Sequence, residues 1–209
     1  MPDHTEKYRN HTEIQRVNGA MHRIRQRPNV VLREYPVDPS QFSPDLAPFV
    51  EEIIRNHGIE EWKAAVLTNE MHRHLGIYSI LGVKMGIMAR EILQAGMDDL
   101  VVDAFTGFKP PVSCMTDGLQ VATGSSLGRG TISVRETDPG EASAIFRKSE
   151  RSIKLALKEE HVKRVNALIT VLAGGTDHKT HDYFDEIRNI SIRLWLELDR
   201  RKIFYLYNL

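Results

Sequence analysis

The sequence predicts an α+β protein: a mostly antiparallel sheet of three to five strands packed against several helices, with a helical C-terminal region. Three observations carry this. Apolar residues recur at steps of three or four in long stretches on both sides of the chain's middle. Short apolar runs, bounded by glycine, proline or polar links, begin at Leu100, Ile132, Ala144 and Ile153. The links between these runs read as too short for crossovers, which favours antiparallel pairing. The chain of 209 residues, 41% hydrophobic, can bury a sizeable core. Its organisation reads as an N-terminal arm (1–43), a core (44–136) and a hairpin with C-terminal helices completing the same domain (137–209).

The arm is polar, with a basic run from Arg23 to Arg27, histidines at His4, His11 and His22, and an apolar patch, Val30-Val31-Leu32, that fits a short strand. Those histidines lack ligand spacing and read as solvated. Ser43 or Asp45 caps a first helix carrying Leu46, Phe49, Val50, Ile53 and Ile54 up to Asn56-His57-Gly58. A second helix runs from about Glu60 towards Met71. A third, Leu75 to Ala95, is interrupted by Gly76, Gly82 and Gly86. Each glycine costs a helix about 1 kcal/mol, so glycines at such spacing point to a close backbone approach by a neighbouring element. Leu100 to Phe105 reads as a buried strand, Pro110-Pro111 forbids helix, and Asp117 to Thr123 is a short helix closed by Gly124. Ile132 and Val134 mark a strand. Ala144-Phe146 and Ile153-Leu157 flank a polar link, Lys148-Ser152, as a β-hairpin. A helix from Glu159 stops at Gly174-Gly175, and another spans roughly Thr180 to Arg200 with Thr176 or Asp177 as its cap. The aromatic end, Ile203 to Tyr207, is expected to pack on the body or on a second copy of the chain.

Lys plus Arg and Asp plus Glu are equal at 28 each, so no global field argues for nucleic acid or an anionic membrane. The basic run carries no interleaved aromatic residues for base stacking. No apolar stretch approaches the ~18 residues of a membrane span, and the only cysteine rules out an intrachain disulfide. A cytoplasmic protein is expected, with no nucleic-acid and no membrane partner.

Chemistry concentrates in two places. In Asn69-Glu70-Met71-His72-Arg73-His74, two histidines two apart point to opposite sides of a helix but to one side of extended chain, so they chelate only where the helix breaks. In a continuous helix, Glu70 and His74 would share a face instead, and the carboxylate would orient the imidazole. Cys114 stands before a helix start, where unpaired N–H groups and the dipole favour attack or metal ligation, although a lone cysteine also packs as a small hydrophobe. His72, His74 and Cys114 would together offer an N, N, S donor set suited to zinc. His178 and His181, at the mouth of the last long helix, are second-tier candidates.

His72-Arg73-His74-Leu75-Gly76, the glycine-marked helix after it, Pro110 to Gln120, and Thr123-Gly124 followed by Leu127-Gly128-Arg129-Gly130 resemble the formylmethanofuran dehydrogenase FmdE family over roughly residues 60–135. That family has a His-x-His segment at a helix start and a distant cysteine before an Asp-x-x-Gln-x-x-Thr-Gly block. The resemblance implies an α+β core (here 44–136), a homodimer, and a metal or reactive site lined by histidines and the cysteine. His72, His74, Cys114, Asp117, Gln120 and Thr123 inherit candidate status by position. The chain departs from the family pattern in having Gly76-Ile77-Tyr78 where many members place Cys-Pro-Gly, Ser125 where a second cysteine often stands, and no zinc-ribbon tail.

Three readings follow. In the first, a divalent metal, zinc, held by His72, His74 and Cys114 serves an enzyme acting on a small anionic substrate or cofactor fragment. Asp117 or Glu70 moves a proton there, Lys84, Lys109 or Arg129 holds the anionic group, and Gln120 and Thr123 line the pocket. In the second, the same pocket belongs to a non-catalytic accessory or cofactor-binding module. In the third, Cys114 is a single redox or nucleophilic thiol beside a histidine.

Overall fold

Glycine spacing sets how closely the helices approach. The structure is a computed structural model and describes residues 31–32, 34–175 and 181–209. The chain divides into Met1–Tyr35 and a second unit, Pro36–Leu209. In the first unit, Val31 and Leu32 are exposed and form no strand; Val30, the three histidines and the basic run lie outside the described residues.

The second unit holds seven α-helices and a five-stranded sheet among the described residues. Helices α1 (Val50–His57), α2 (Ile59–His72) and α3 (Ile77–Leu93) follow the sequence pattern. The capping of α1 does not, because a 3₁₀ turn, Ala47–Phe49, precedes it, while Asp45 and Ser43 bind the Arg188 guanidinium. Strand β1 (Val101–Ala104), helix α4 (Met115–Thr123) and strand β2 (Ile132–Val134) form a β-α-β unit with β1 and β2 parallel. That corrects the inference from link length for this pair: the crossover from β1 to β2 contains α4, and its length permits parallel pairing. Strands β3 (Ser143–Lys148) and β4 (Arg151–Leu157) form the expected hairpin, shortened to a two-residue turn in which Ser149 adopts a φ of 50°. After α5 (Glu159–Gly175), α6 (His181–Glu197) and α7 (Arg200–Ile203), the aromatic end forms β5 (Phe204–Asn208), antiparallel to β4. Phe204 is buried on the body, and Tyr205, Leu206 and Tyr207 remain exposed along the sheet edge.

The sheet order is β2-β1-β3-β4-β5. Val102, Ala104, Phe146, Ile153 and Leu155 face a core completed by Leu81, Met85, Met115 and Leu119 from α3 and α4. These two helices meet through glycine. A Cβ on Gly82 would stand 2.1 Å from the Met115 carbonyl oxygen, and one on Gly118 would stand 2.1 Å from the Ser79 carbonyl oxygen. At that separation only a hydrogen atom fits, so α4 lies directly against α3 and its first turn is fixed beside the start of α3.

Gly118→Ala tests this contact. Alanine recovers about 1 kcal/mol of helix propensity but meets a backbone oxygen that cannot rotate away, so a net loss of about 2–3 kcal/mol is expected. Thermal denaturation should show a midpoint lowered by roughly 5–10 °C; an unchanged or raised midpoint would contradict the packing.

Candidate functional site

The His-x-His segment lies at a true helix break. Arg73, the residue between the histidines, takes a left-handed φ of 69° and ends α2, and the chain runs on through Leu75 and Gly76 before α3 begins. With the helix broken between them, the two imidazoles lie side by side with ring centroids 4.3 Å apart. Their Nε2 atoms face the same small space. A Cβ on Gly76 would be 3.3 Å from His74 Nε2 and 3.6 Å from His72 Nε2, and the missing methyl leaves that space open.

The carboxylate that orients an imidazole here is Asp117, acting on His72, and not Glu70. Asp117 lies in the first turn of α4, where the glycine contact brings it across to α2, and its Oδ2 accepts from His72 Nδ1 at 2.7 Å. Glu70 is exposed on α2. With Nδ1 occupied, His72 presents Nε2, which is buried, has no nitrogen or oxygen partner, and has the Cys114 sulfur as its neighbour. The His72 side chain is 12% exposed. The Asp117 hydrogen bond and, second, the neighbouring Cys114 sulfur raise the His72 pKa to about 9, against the opposing effect of burial. His74 is shifted the other way, by burial first and then by the positive charge on His72. In metal-free protein near neutral pH, one ring of the pair is therefore cationic and the other neutral.

Cys114 ends the 3₁₀ turn Val112–Cys114 and immediately precedes α4, as the proline pair and the helix start predict. It is a free, partly buried thiol close enough to His72 to stabilise its charge. The far side of His74 meets Phe184 from the first turn of α6, edge to face at 5.2 Å. No sequence signal singled out Phe184, because its partner lies 110 residues earlier. His178 lies outside the described residues; His181 begins α6.

The remaining candidates are placed elsewhere. Lys84 is wholly buried and gives its ammonium to Glu61 at 2.7 Å. Arg200 and Trp195 also donate to Glu61, at 3.0 and 3.1 Å. Burial lowers the Lys84 pKa and the Glu61 carboxylate opposes that shift. Lys109 is exposed and paired with Asp138. Arg129 pairs with Asp98 at 2.6 Å and bonds the Gly124 carbonyl. Gln120 accepts from the Leu127 N–H at 3.2 Å, and Thr123 is buried, donating to the Leu119 carbonyl at 2.6 Å. Gln120 and Thr123 hold the turn after α4. Ser125, where relatives often have a second cysteine, is buried with its hydroxyl on the Leu100 carbonyl.

Residues 71–204, more than half of the chain, match the family described as "FmdE, Molybdenum formylmethanofuran dehydrogenase operon". The chain belongs to this family. The FmdE match spans the histidine pair, Cys114, Asp117 and strands β1 to β4. A probable S-adenosyl-L-methionine-binding protein of Archaeoglobus fulgidus is 28% identical over 97 residues, 46% of this chain and 26% of that protein. The chain thus spans about a quarter of that relative's length. A solved structure of a tungsten formylmethanofuran dehydrogenase FmdE-like protein from Syntrophus aciditrophicus covers 78% of this FmdE-family chain and 70% of its own, at 17% identity and a TM-score of 0.41.

The His72–Asp117 clamp sets a measurable titration. NMR of metal-free protein should show His72 titrating near 9 and His74 below 6.5. Asp117→Asn should return His72 towards its ordinary range; a His72 that titrates near 6.5 in the wild type would mean that the clamp does not form. Because the folded pKa is raised, the clamp's stabilisation is fully present below about 6.5 and is lost as pH rises through about 9.

Proposed function

We propose that this FmdE-family protein is a metal-binding protein, with His72 Nε2, His74 Nε2 and the Cys114 sulfur as ligands to a divalent ion, zinc. The observation that carries the reading is the buried Nε2 of His72, without a nitrogen or oxygen partner and held in place through Nδ1 by Asp117. A carboxylate behind an imidazole is the usual partner of a metal-ligating histidine. Among the described residues no group of three or more His, Cys, Asp or Glu side chains stands ready-assembled around a metal position. What supports the reading is the donor chemistry and the space beside Gly76 that both imidazole nitrogens border.

In this reading His72 gives up its Nε2 proton on ligation, so metal uptake releases protons and strengthens as pH rises. Asp117 keeps its bond to Nδ1 and sets the ring's direction. Phe184 covers the outer side of His74 and limits water there. A bound zinc ion would supply Lewis acidity for polarising a small substrate. Glu70 is exposed on α2 and separated from His74 by the helix break at Arg73, so Asp117 is the carboxylate that bears on the site. Lys84, Lys109 and Arg129 are each engaged by a carboxylate, so none of them is offered to an anionic substrate. Homodimer formation and a cytoplasmic location belong to the same proposal. The exposed Tyr205, Leu206 and Tyr207 on the β5 edge support the former, and the single unpaired thiol supports the latter.

A second reading is favoured by the raised His72 pKa: an imidazolium beside Cys114, backed by a carboxylate, suits a nucleophilic thiol. One experiment separates the two. Protein purified without added metal is assayed for zinc and for alkylation of Cys114, alongside His74→Ala and Cys114→Ser. Metal binding predicts near-stoichiometric zinc in the wild type, strong loss in both variants, and faster alkylation after chelation. Equal metal in all three would eliminate it, and alkylation that is rapid and indifferent to chelation would leave the thiol reading.

A further inference from the structure

The two imidazoles of the pair are held by different means. His72 has a carboxylate behind it, with Asp117 Oδ2 accepting from its Nδ1. His74 has none among the described residues. What acts on it is burial, the charge on His72 and a hydrogen bond with the His72 backbone, and that bond lies within the helix break and ties the ring to no other element. The other restraints are ring contacts. His72 lies on one side at 4.3 Å, and on the other Phe184 reaches across from α6, edge to face at 5.2 Å.

Phe184 stands there because α6 is in register with α2. Phe184, Arg188, Ser191 and Trp195 recur at steps of four, three and four, which makes them one stripe of the helix. At the far end of the stripe Trp195 donates to Glu61 and stacks on Trp62, near the start of α2. At the near end Phe184 meets His74, just past the end of α2. Between them Arg188 donates to Asp45 and Ser43, and Ser191 is buried. The two helices therefore run antiparallel, with about 16 Å of α6 between the two contacts. Sliding α6 by one residue would turn the stripe by about 100° and take Phe184 off His74, and the anchors at Trp195 and Arg188 oppose that. Tyr183 braces the Phe184 ring at 5.6 Å.

We propose that Phe184 is a positioning residue for His74, doing through an aromatic contact from α6 what Asp117 does for His72 through a hydrogen bond. The contact keeps the His74 ring in the rotamer that directs Nε2 to the space beside Gly76. Its consequence for metal affinity rests on the metal reading above; the ordering of the ring does not.

The test uses the full chain as wild type, as Phe184→Ala and as Phe184→Tyr, which keeps the ring. NMR of the metal-free protein reads the His74 χ1 couplings and ring-proton shifts. The wild type and Phe184→Tyr should show one rotamer with ring protons displaced by the neighbouring aromatic ring, and Phe184→Ala should show averaged couplings. An unchanged Trp195 indole N–H resonance establishes that α6 is still docked; should alanine undock it, Phe184→Leu, which keeps apolar bulk without the ring, takes its place in every comparison. Titration with cobalt(II) then reads the metal site. Phe184→Ala should bind about two- to twelvefold more weakly than the wild type, the range that one aromatic pair carries, and Phe184→Tyr should bind within about twofold of it. The cobalt d–d absorption should change in the alanine variant and return in the tyrosine variant. A wild type that orders His74 through Phe184 yet binds no cobalt would remove the metal reading and leave Phe184 as the residue that positions His74. His74 couplings that are the same with and without the ring, or a cobalt affinity and spectrum untouched by its loss, would overturn the proposal.

Discussion

The contact on which the site depends is the glycine-mediated seat of α4 against α3. Gly82 admits the Met115 carbonyl and Gly118 admits the Ser79 carbonyl, while Gly86 faces Ala122 one turn further along. Two glycines one turn apart on α3 and one on α4 thereby remove the side-chain layer that normally holds helix axes 8–10 Å apart. The consequence is chemical as well as steric. Asp117 precedes Gly118, and Cys114 lies one turn earlier, so both are carried to the end of α2, where Asp117 reaches His72. With larger residues at Gly82 and Gly118, the carboxylate and the sulfur would stand too far out to meet the imidazole.

A second buried arrangement holds the other end of α2. Glu61 receives hydrogen bonds from Lys84, Arg200 and Trp195, and Arg200 also pairs with Glu91 at 2.5 Å. Two cations and two carboxylates balance, and Trp62 stacks on Trp195 beside them with centroids 5.4 Å apart. Such a group costs desolvation and tolerates no missing member, since removing one partner strands a buried charge. It ties α2, α3, α6 and α7 together, while α4 meets the histidine end of α2 through Asp117. The α6 helix links the two regions, with Trp195 in the charged group and Phe184 on His74.

Much of this was legible in the sequence because it is local. Helical periodicity located α2, α3 and α5, alternation located the hairpin, and the glycines of α3 pointed to a close approach before the approaching element was known. The donor residues were legible through their spacing and the family resemblance. Their geometry was not. Two alternatives stood for His72-x-His74, and the one realised depends on a left-handed Arg73, a conformation no glycine or asparagine announced. Asp117 as the orienting carboxylate was hidden by 45 residues of separation, and Lys84 looked available because Glu61 lies 23 residues away. The parallel β1–β2 pair escapes the link-length argument because that argument holds for the short β3–β4 link, whereas the segment between β1 and β2 carries a helix and is long enough for a crossover.

The proposed site requires that one sulfur and two imidazole nitrogens, drawn from the start of α4 and the end of α2 with the link after it, share a single ion. X-ray absorption at the zinc edge, on the full chain loaded with one equivalent of zinc, reads this directly. One sulfur scatterer at about 2.3 Å and imidazole nitrogens at about 2.0–2.1 Å are expected, with the sulfur absent in Cys114→Ser. A first shell of light atoms only, the same with and without Cys114, would contradict it.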